Sequence, residues 1–255
     1  MCLILLAWRT RPDFPCVLAA NRDEYHARPT AAADWWPGPA GILAGRDLSA
    51  GGTWLGLTRT GRFAALTNFR DPHAGRPRAD APSRGKLVGG LLESGASVDE
   101  SLAHLRGVGA AYNGFNVIFS DGERLGIFES ALGQGRELGP GIYGLSNHLL
   151  DTPWPKVQQA KSRLAAALDD LRDTGALLSL LRDDRQAEDA DLPQTGIGLE
   201  WERLLSSAFV RAEAYGTRCS TIVRIAGDGR ACFDEWTWDR TGAEAGRRNF
   251  AFDLQ

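Results

Sequence analysis

The stretch MCLILLAW (1–8), followed after a proline-containing break by CVLAANRDEYH (16–26), decides how the chain is read. Residues 2–8 and 16–20 are apolar strand formers, and the segment 9–15 between them carries Pro12, Asp13 and Pro15, which makes it a turn. The two runs therefore form a hairpin. Their apolar residues follow one another almost without alternation, the pattern of strands covered on both faces. A turn centred between Arg11 and Pro12 sets Cys2 opposite Asn21 and close to Asp23. Cys16 then falls opposite Ala7, too far from Cys2 for a disulfide.

Further strands are predicted over 53–58, 62–69, 116–119, 124–130, 141–147, 217–225, 231–238 and 249–254, with short Gly or Asp turns between many of them. Helices are predicted over 84–93, 97–106, 153–172 and 175–181. Ser97 with Glu100 reads as a capping box, and Val157, Ala160, Leu164, Leu168 and Leu171 share one face of the longest helix. Strands first, helices in the middle and strands last imply an α+β fold of two mostly antiparallel sheets packed together and covered by helices. A chain of 255 residues hides most of its apolar surface as one domain, 1–255. The acidic stretch DDRQAEDADLPQTG (183–196) reads as a mobile surface loop within it.

A hydrophobic content of 43% against 24% charged residues excludes the disordered class, and the apolar run at 2–8 is too short to span a membrane or serve as a signal peptide. A formal net charge of −3 with dispersed Lys and Arg gives no nucleic-acid surface. Cys2, Cys16, Cys219 and Cys232 show neither Cys-x-x-Cys nor paired His spacing, so no metal site or disulfide framework is expected and the setting is a reducing, cytoplasmic one. No phosphate loop is found: Tyr112 stands where a third glycine would follow Gly107 and Gly109.

The chemistry on offer lies at the start. Removal of Met1 would leave Cys2 with a free α-amine titrating near ~8 beside a thiol near ~8.5, a nucleophile carrying its own general base. Asp23 at the neighbouring strand end would orient the amine, and Arg22 or Arg218 would favour the thiolate. Asn68 and Asn147, both at predicted strand ends, are the candidate oxyanion donors. Each residue also has a plainer reading: Asn-Arg-Asp-Glu as a solvated turn, and the two asparagines as turn caps. Trp35, Trp36, Trp236 and Trp238 are read as core or pocket wall before partner surface. Arg76, Arg78, Arg84 and Lys86 beside proline read as a solvated loop, with grip on an anionic tail as the alternative.

Taken together, MC (1–2), NRDE (21–24), GGTWLGL (51–57), ALTNFRD (65–71), YGLSNHLLDTPWPKV (143–157) and YGTRCST (215–221) resemble the NRDE family, also called the transport and Golgi organisation protein 2 family. The resemblance implies an N-terminal nucleophile hydrolase fold of four αββα layers, with cysteine-type bile salt hydrolases and penicillin V acylases as relatives of known chemistry. It implies an exposed N-terminal cysteine (Cys2), an aspartate ending the second strand (Asp23), two oxyanion asparagines (Asn68 and Asn147) and a late arginine, for which Arg218 is favoured over Arg224. Asn21 matches an asparagine two residues before the aspartate. Ala20 stands where those acylases carry an arginine, which leaves Arg22 to supply that charge.

Around the nucleophile, Asn21, Arg22, Glu24, His26, Trp54 and His148 are expected to contact substrate. Two functions follow. One is hydrolysis of an acyl amide or thioester, with no cofactor required. The other is non-catalytic carriage, in haem trafficking or in acyl-CoA and lipid metabolism, with haem or acyl-CoA in the same pocket.

Overall fold

A computed structural model describes residues 2–70, 77–171 and 173–255. The opening hairpin is β1 (Cys2–Trp8) and β2 (Cys16–Tyr25). Next come β3 (Thr30–Trp35), β4 (Ile42–Asp47), β5 (Leu55–Thr58) and β6 (Phe63–Asn68), then helices α1 (Gly85–Glu93) and α2 (Val98–Val108). Strands β7 (Phe115–Ser120), β8 (Leu125–Glu129), β9 (Gln134–Leu138) and β10 (Gly141–Leu145) precede α3 (Pro155–Ala167), α4 (Gly175–Leu181) and α5 (Leu199–Leu204). The chain closes with β11 (Tyr215–Ile225), β12 (Arg230–Trp238) and β13 (Glu244–Asp253). All pairings are antiparallel, in one sheet ordered β10-β1-β2-β11-β12-β13 and a second ordered β3 through β9 in sequence.

The unalternating apolar run of β1 is explained by its two covers. Leu3, Leu5 and Ala7, with Val17 and Ala19 of β2, pack under Val157, Ala160 and Leu164 of α3 and Leu177 and Leu180 of α4. Ile4 and Leu6, with Leu18 and Ala20, point the other way, onto Leu43, Leu55, Leu57, Ile118 and Ile127 of the second sheet. The far face of that sheet, including Ala64, Leu66, Val117 and Phe119, is closed by Leu87, Val88 and Leu91 of α1 and Leu102 and Leu105 of α2. The result is a four-layer αββα sandwich. Its middle strands bury both faces, and each fully buried leucine there contributes about 1.5–3 kcal/mol.

Several local expectations need correction. The hairpin register is one residue off the expected one: Trp8 pairs with Cys16 and Cys2 with Arg22, because the turn, closed by Arg9 N–H donating to Pro15 O at 2.7 Å, centres on Pro12. The polar run 21–24 is not a turn after the strand but its continuation, held between β1 and β11, with Asn21, Arg22 and Asp23 all buried. Helix α3 ends at Ala167, short of the predicted 172, although Leu168 and Leu171 stay in the core.

Strands β3, β4 and β9 were not predicted, and each breaks strand propensity: β3 is alanine-rich, β9 is polar, and β4 is interrupted by Gly45. Gly45 is a glycine because a Cβ there would lie 2.3 Å from the ring of Trp54. The capping box of Ser97 and Glu100 forms as expected at the start of α2. The segment 183–196 carries a short 3-10 turn and is tied down by Ala187 N–H to Ser206 Oγ and by Thr195 to the buried Glu202.

The loop before β5 meets the start of α1 backbone to backbone. A Cβ on Gly52 would stand 2.4 Å from the carbonyl carbon of Gly85, whereas one on Gly90, in the middle of α1, would meet nothing within 4 Å. Gly52→Ala is expected to destabilise by about 1–3 kcal/mol, roughly 2–10 °C in Tm for a chain of this size. Gly90→Ala is expected to be neutral or to stabilise by up to about 1 kcal/mol through helix propensity. Thermal melts of the two variants check the contrast, and equal shifts would refute the backbone contact.

Candidate active site

The hairpin register decides which side chains share a face. With Cys2 opposite Arg22, these two point between the sheets, like Ile4 and Ala20, and Asn21 points to the helices instead. Cys2, Arg22, Asp23 and Glu24 line a cleft of about 120 Å³ at the strand ends, completed by Trp54, Asn68, Arg84 and neighbouring residues. Cys2 is partly exposed, and its carbonyl accepts from Ser146 Oγ at 3.1 Å on the strand's other side. Burial pushes its thiol above the usual range, against the backbone N–H of Asp23, which faces the sulfur, and the field of Arg22.

Asp23 is buried at the back of the cleft. Its Oδ1 accepts from Thr217 Oγ1 at 2.7 Å, and Thr217 is its cross-strand partner on β11. Burial raises its pKa, while the Lys156 ammonium, the Thr217 hydroxyl and the Arg22 guanidinium pull in the opposite direction. Lys156, on the first turn of α3, is itself buried: its Nζ donates to Leu205 O at 2.8 Å, and burial pushes its pKa down to about 8. Sequence reading did not single out this lysine, although PWPK at 153–156 lies within a stretch that carries the family resemblance. A buried lysine on a surface-type helix is visible only once the helix is docked.

Arg22 is buried with its guanidinium 4.5 Å from the Trp54 ring centroid and Nη1 donating to Thr30 Oγ1 at 3.2 Å. Glu24 sits 3.9 Å from Arg22 and 3.8 Å from Arg28. Arg28 is held by Asp47 at 2.6 Å; burial opposes that carboxylate's charge, but the Arg28 hydrogen bond and backbone N–H groups of the following turn keep its pKa below the usual range. Arg84, read from sequence as part of a solvated loop, lines the cleft together with Cys2, and burial pulls its pKa down. No sequence pattern marks it, because Gly85 packing on Gly52 is what carries residue 84 to the cleft.

The other expected residues lie outside the cleft wall. Asn147 is buried just behind it, its Nδ2 donating to Asn68 O at 2.8 Å. Asn21 Nδ2 donates to Leu181 O and Ala208 O, and its Oδ1 accepts from Ser220 Oγ at 2.6 Å, so it fastens β2 to the helical layer. A bulge between Thr217 and Cys219 turns Arg218 toward the carbonyls of Tyr25, His26 and Arg28, to which its Nη1 donates at 3.0 to 3.2 Å. The competing late arginine, Arg224, donates to Leu171 O and faces Asp234. His26 is engaged with Ala212 O, and His148 with Thr152 Oγ1 while stacking on Phe69. Among the described residues, no group of three or more His, Cys, Asp or Glu could hold a metal ion, and no helix is long and apolar enough to cross a membrane.

Chemically, the cleft joins a thiol, a buried carboxylate on the adjacent strand, an amide side chain at the end of β6, and guanidinium groups. In structure the chain is similar to a mutant conjugated bile acid hydrolase from Clostridium perfringens, with a TM-score of 0.47, at 11% identity, over 100% of this chain and 92% of that one. Sequence comparison reaches further: the chain is 37% identical over 260 residues to the Transport and Golgi organization protein 2 homolog of Bos taurus, covering 92% of each. It is 35% identical over 281 residues to the Transport and Golgi organization 2 homolog of Mus musculus, covering 100% of each. The family model described as Transport and Golgi organisation 2 matches residues 1–240, and the chain belongs to that family.

Proposed function

We propose that the chain is an N-terminal-cysteine hydrolase of an acyl amide or thioester, active once Met1 is removed. The observation that carries this reading is the convergence of Cys2, Asp23 and Asn68 on one cleft at the ends of three strands from both sheets. Burial holds the Cys2 thiol above its usual range, so attack calls for a base, and the α-amine freed by removal of Met1 is the one attached to the nucleophile itself.

In this mechanism the amine takes the Cys2 proton as sulfur attacks the acyl carbon. Asn68 stabilises the developing oxyanion, and Asn147, bonded to the Asn68 carbonyl, positions it. The amine then returns the proton to the departing nitrogen or sulfur, leaving a thioester on Cys2. Water, deprotonated by the same amine, hydrolyses that thioester to the free acid and restores the thiol. Asp23, kept in place by Thr217, orients the amine.

Carriage of haem or acyl-CoA, the other role implied by the resemblance, draws less support. Neither His26 nor His148 lines the cleft, and 120 Å³ is small against the ~300–1,000 Å³ of typical ligand pockets. The cleft suits the reacting end of a molecule better than the whole of one.

Intact mass of protein from the native host should lack one methionine. Cys2→Ala should abolish turnover of amide and thioester substrates while the melting profile is kept; unchanged turnover would sink the enzymatic role. Asn68→Ala should lower kcat by roughly 10²–10³ with little change in KM, the loss seen when one oxyanion donor is removed. For pH, an amine titrating near ~8 accepts a proton only when neutral, so kcat/KM should rise with pH and level off above that value. A profile flat from about pH 6 to 9 would rule the amine out as base.

A further inference from the structure

A second cavity, of about 490 Å³, shares one wall with the cleft, Arg84. Its charged lining residues are Arg70, Arg78 and Arg84, and among the described residues it contains no carboxylate. Arg70 is neutralised from behind by Glu202 at 3.4 Å. The other two make no ion pair among the described residues. Among the described residues, the Arg78 guanidinium donates to the carbonyl oxygens of Ala110, Ala111 and Tyr112, and that of Arg84 to Gly114 O at 2.9 Å. On the cleft side, Asp47 holds Arg28, Glu24 stands between Arg22 and Arg28, and Asp23 accepts from Thr217.

Resting on the hydrolase reading above, we infer that Arg84 is the anion anchor for the leaving group: the substrate places its scissile carbonyl at Cys2 and a carboxylate or phosphate in the cavity beyond Arg84. Two chemical reasons support the assignment. A guanidinium presents a fork of N–H donors matched to carboxylate and phosphate oxygens, and among the described residues Arg84 has one nitrogen bonded to a protein acceptor. An aliphatic acyl chain in the same space would strip water from the guanidinium groups without replacing those hydrogen bonds. The charged end therefore belongs to the departing half, and Phe69, Tyr112 and Ile197 supply apolar wall for its linker. Arg84 is thus a specificity residue, with the fixed bond to Gly114 O setting its orientation.

Full-length Cys2→Ala protein, which cannot turn over, tests this by calorimetry with matched pairs. N-dodecanoylglycine is compared with its neutral glycinamide, and N-dodecanoyl phosphoethanolamine with its neutral ethanolamide. Roughly 10- to 100-fold tighter binding of an anionic member is expected, the range of a hydrogen bond to a charged group. Whichever pair shows it identifies carboxylate or phosphate as the anion. Adding Arg84→Gln should erase that preference, bringing each anionic ligand level with its neutral partner; Arg84→Lys, which keeps the charge, should retain part of it and decides the matter if the Gln variant unfolds. No preference, or one that survives Arg84→Gln, would overturn the assignment. Wild-type, Cys2-dependent turnover of the neutral amides alongside such a result would leave the hydrolase reading standing. Absence of turnover with the anion preference intact would overturn only that reading.

Discussion

The antiparallel pairing of β1 with β2, in the register that sets Cys2 against Arg22, is the constraint from which the rest follows. Side chains alternate across a strand, so a slip by one residue would exchange the faces of every residue in the hairpin. In the observed register, Ile4, Leu6, Leu18 and Ala20 enter the space between the sheets, and Leu3, Leu5, Val17 and Ala19 go under the helices. The same parity sends the Cys2 side chain to the cleft and Asn21 to the helical layer. Fold and site are therefore set by one decision, and the apolar core holds the polar end in place.

That polar end extends a buried strand, at a cost that has to be offset locally. Asn21, Arg22 and Asp23 bring charge and amide groups into the interior, and each finds partners there: backbone carbonyls and Ser220 for Asn21, Trp54 and Thr30 for Arg22, Thr217 for Asp23. Lys156 adds a buried positive charge that acts on Asp23. Networks of this kind are costly when partly satisfied and rigid when complete, which suits a place where a nucleophile must be aimed.

Much of this was legible in the sequence because the signals were strong and local. The unalternating runs at 2–8 and 16–20 require two covers, the longest helix announces itself by the apolar face from Val157 to Leu164, and the helix at 97–106 by Ser97 with Glu100. Cys2, Arg22, Asp23, Glu24, Trp54 and Asn68 do line one cleft. What escaped depends on contacts between distant segments. Arg84 reaches the cleft because Gly85 meets Gly52, Lys156 is buried because α3 docks over the first sheet, and Arg218 leaves the site because a bulge in β11 turns it away. The strands β3, β4 and β9 escaped for a related reason: their neighbours in the sheet, more than their own composition, make them strands.

The Gly52–Gly85 contact also bears on how the cleft can deform. Thr53 N–H donates to Gly85 O at 3.2 Å across the same junction, so the rim of the cleft and the first turn of α1 meet with no side chain between them. Side-chain cushions yield by rotamer changes; a backbone joint has none to change. The floor of the cleft mouth is therefore as stiff as the joint itself: a substrate must fit between the sheet end and α1 as they stand, because the contact that sets their spacing has no rotamer to give.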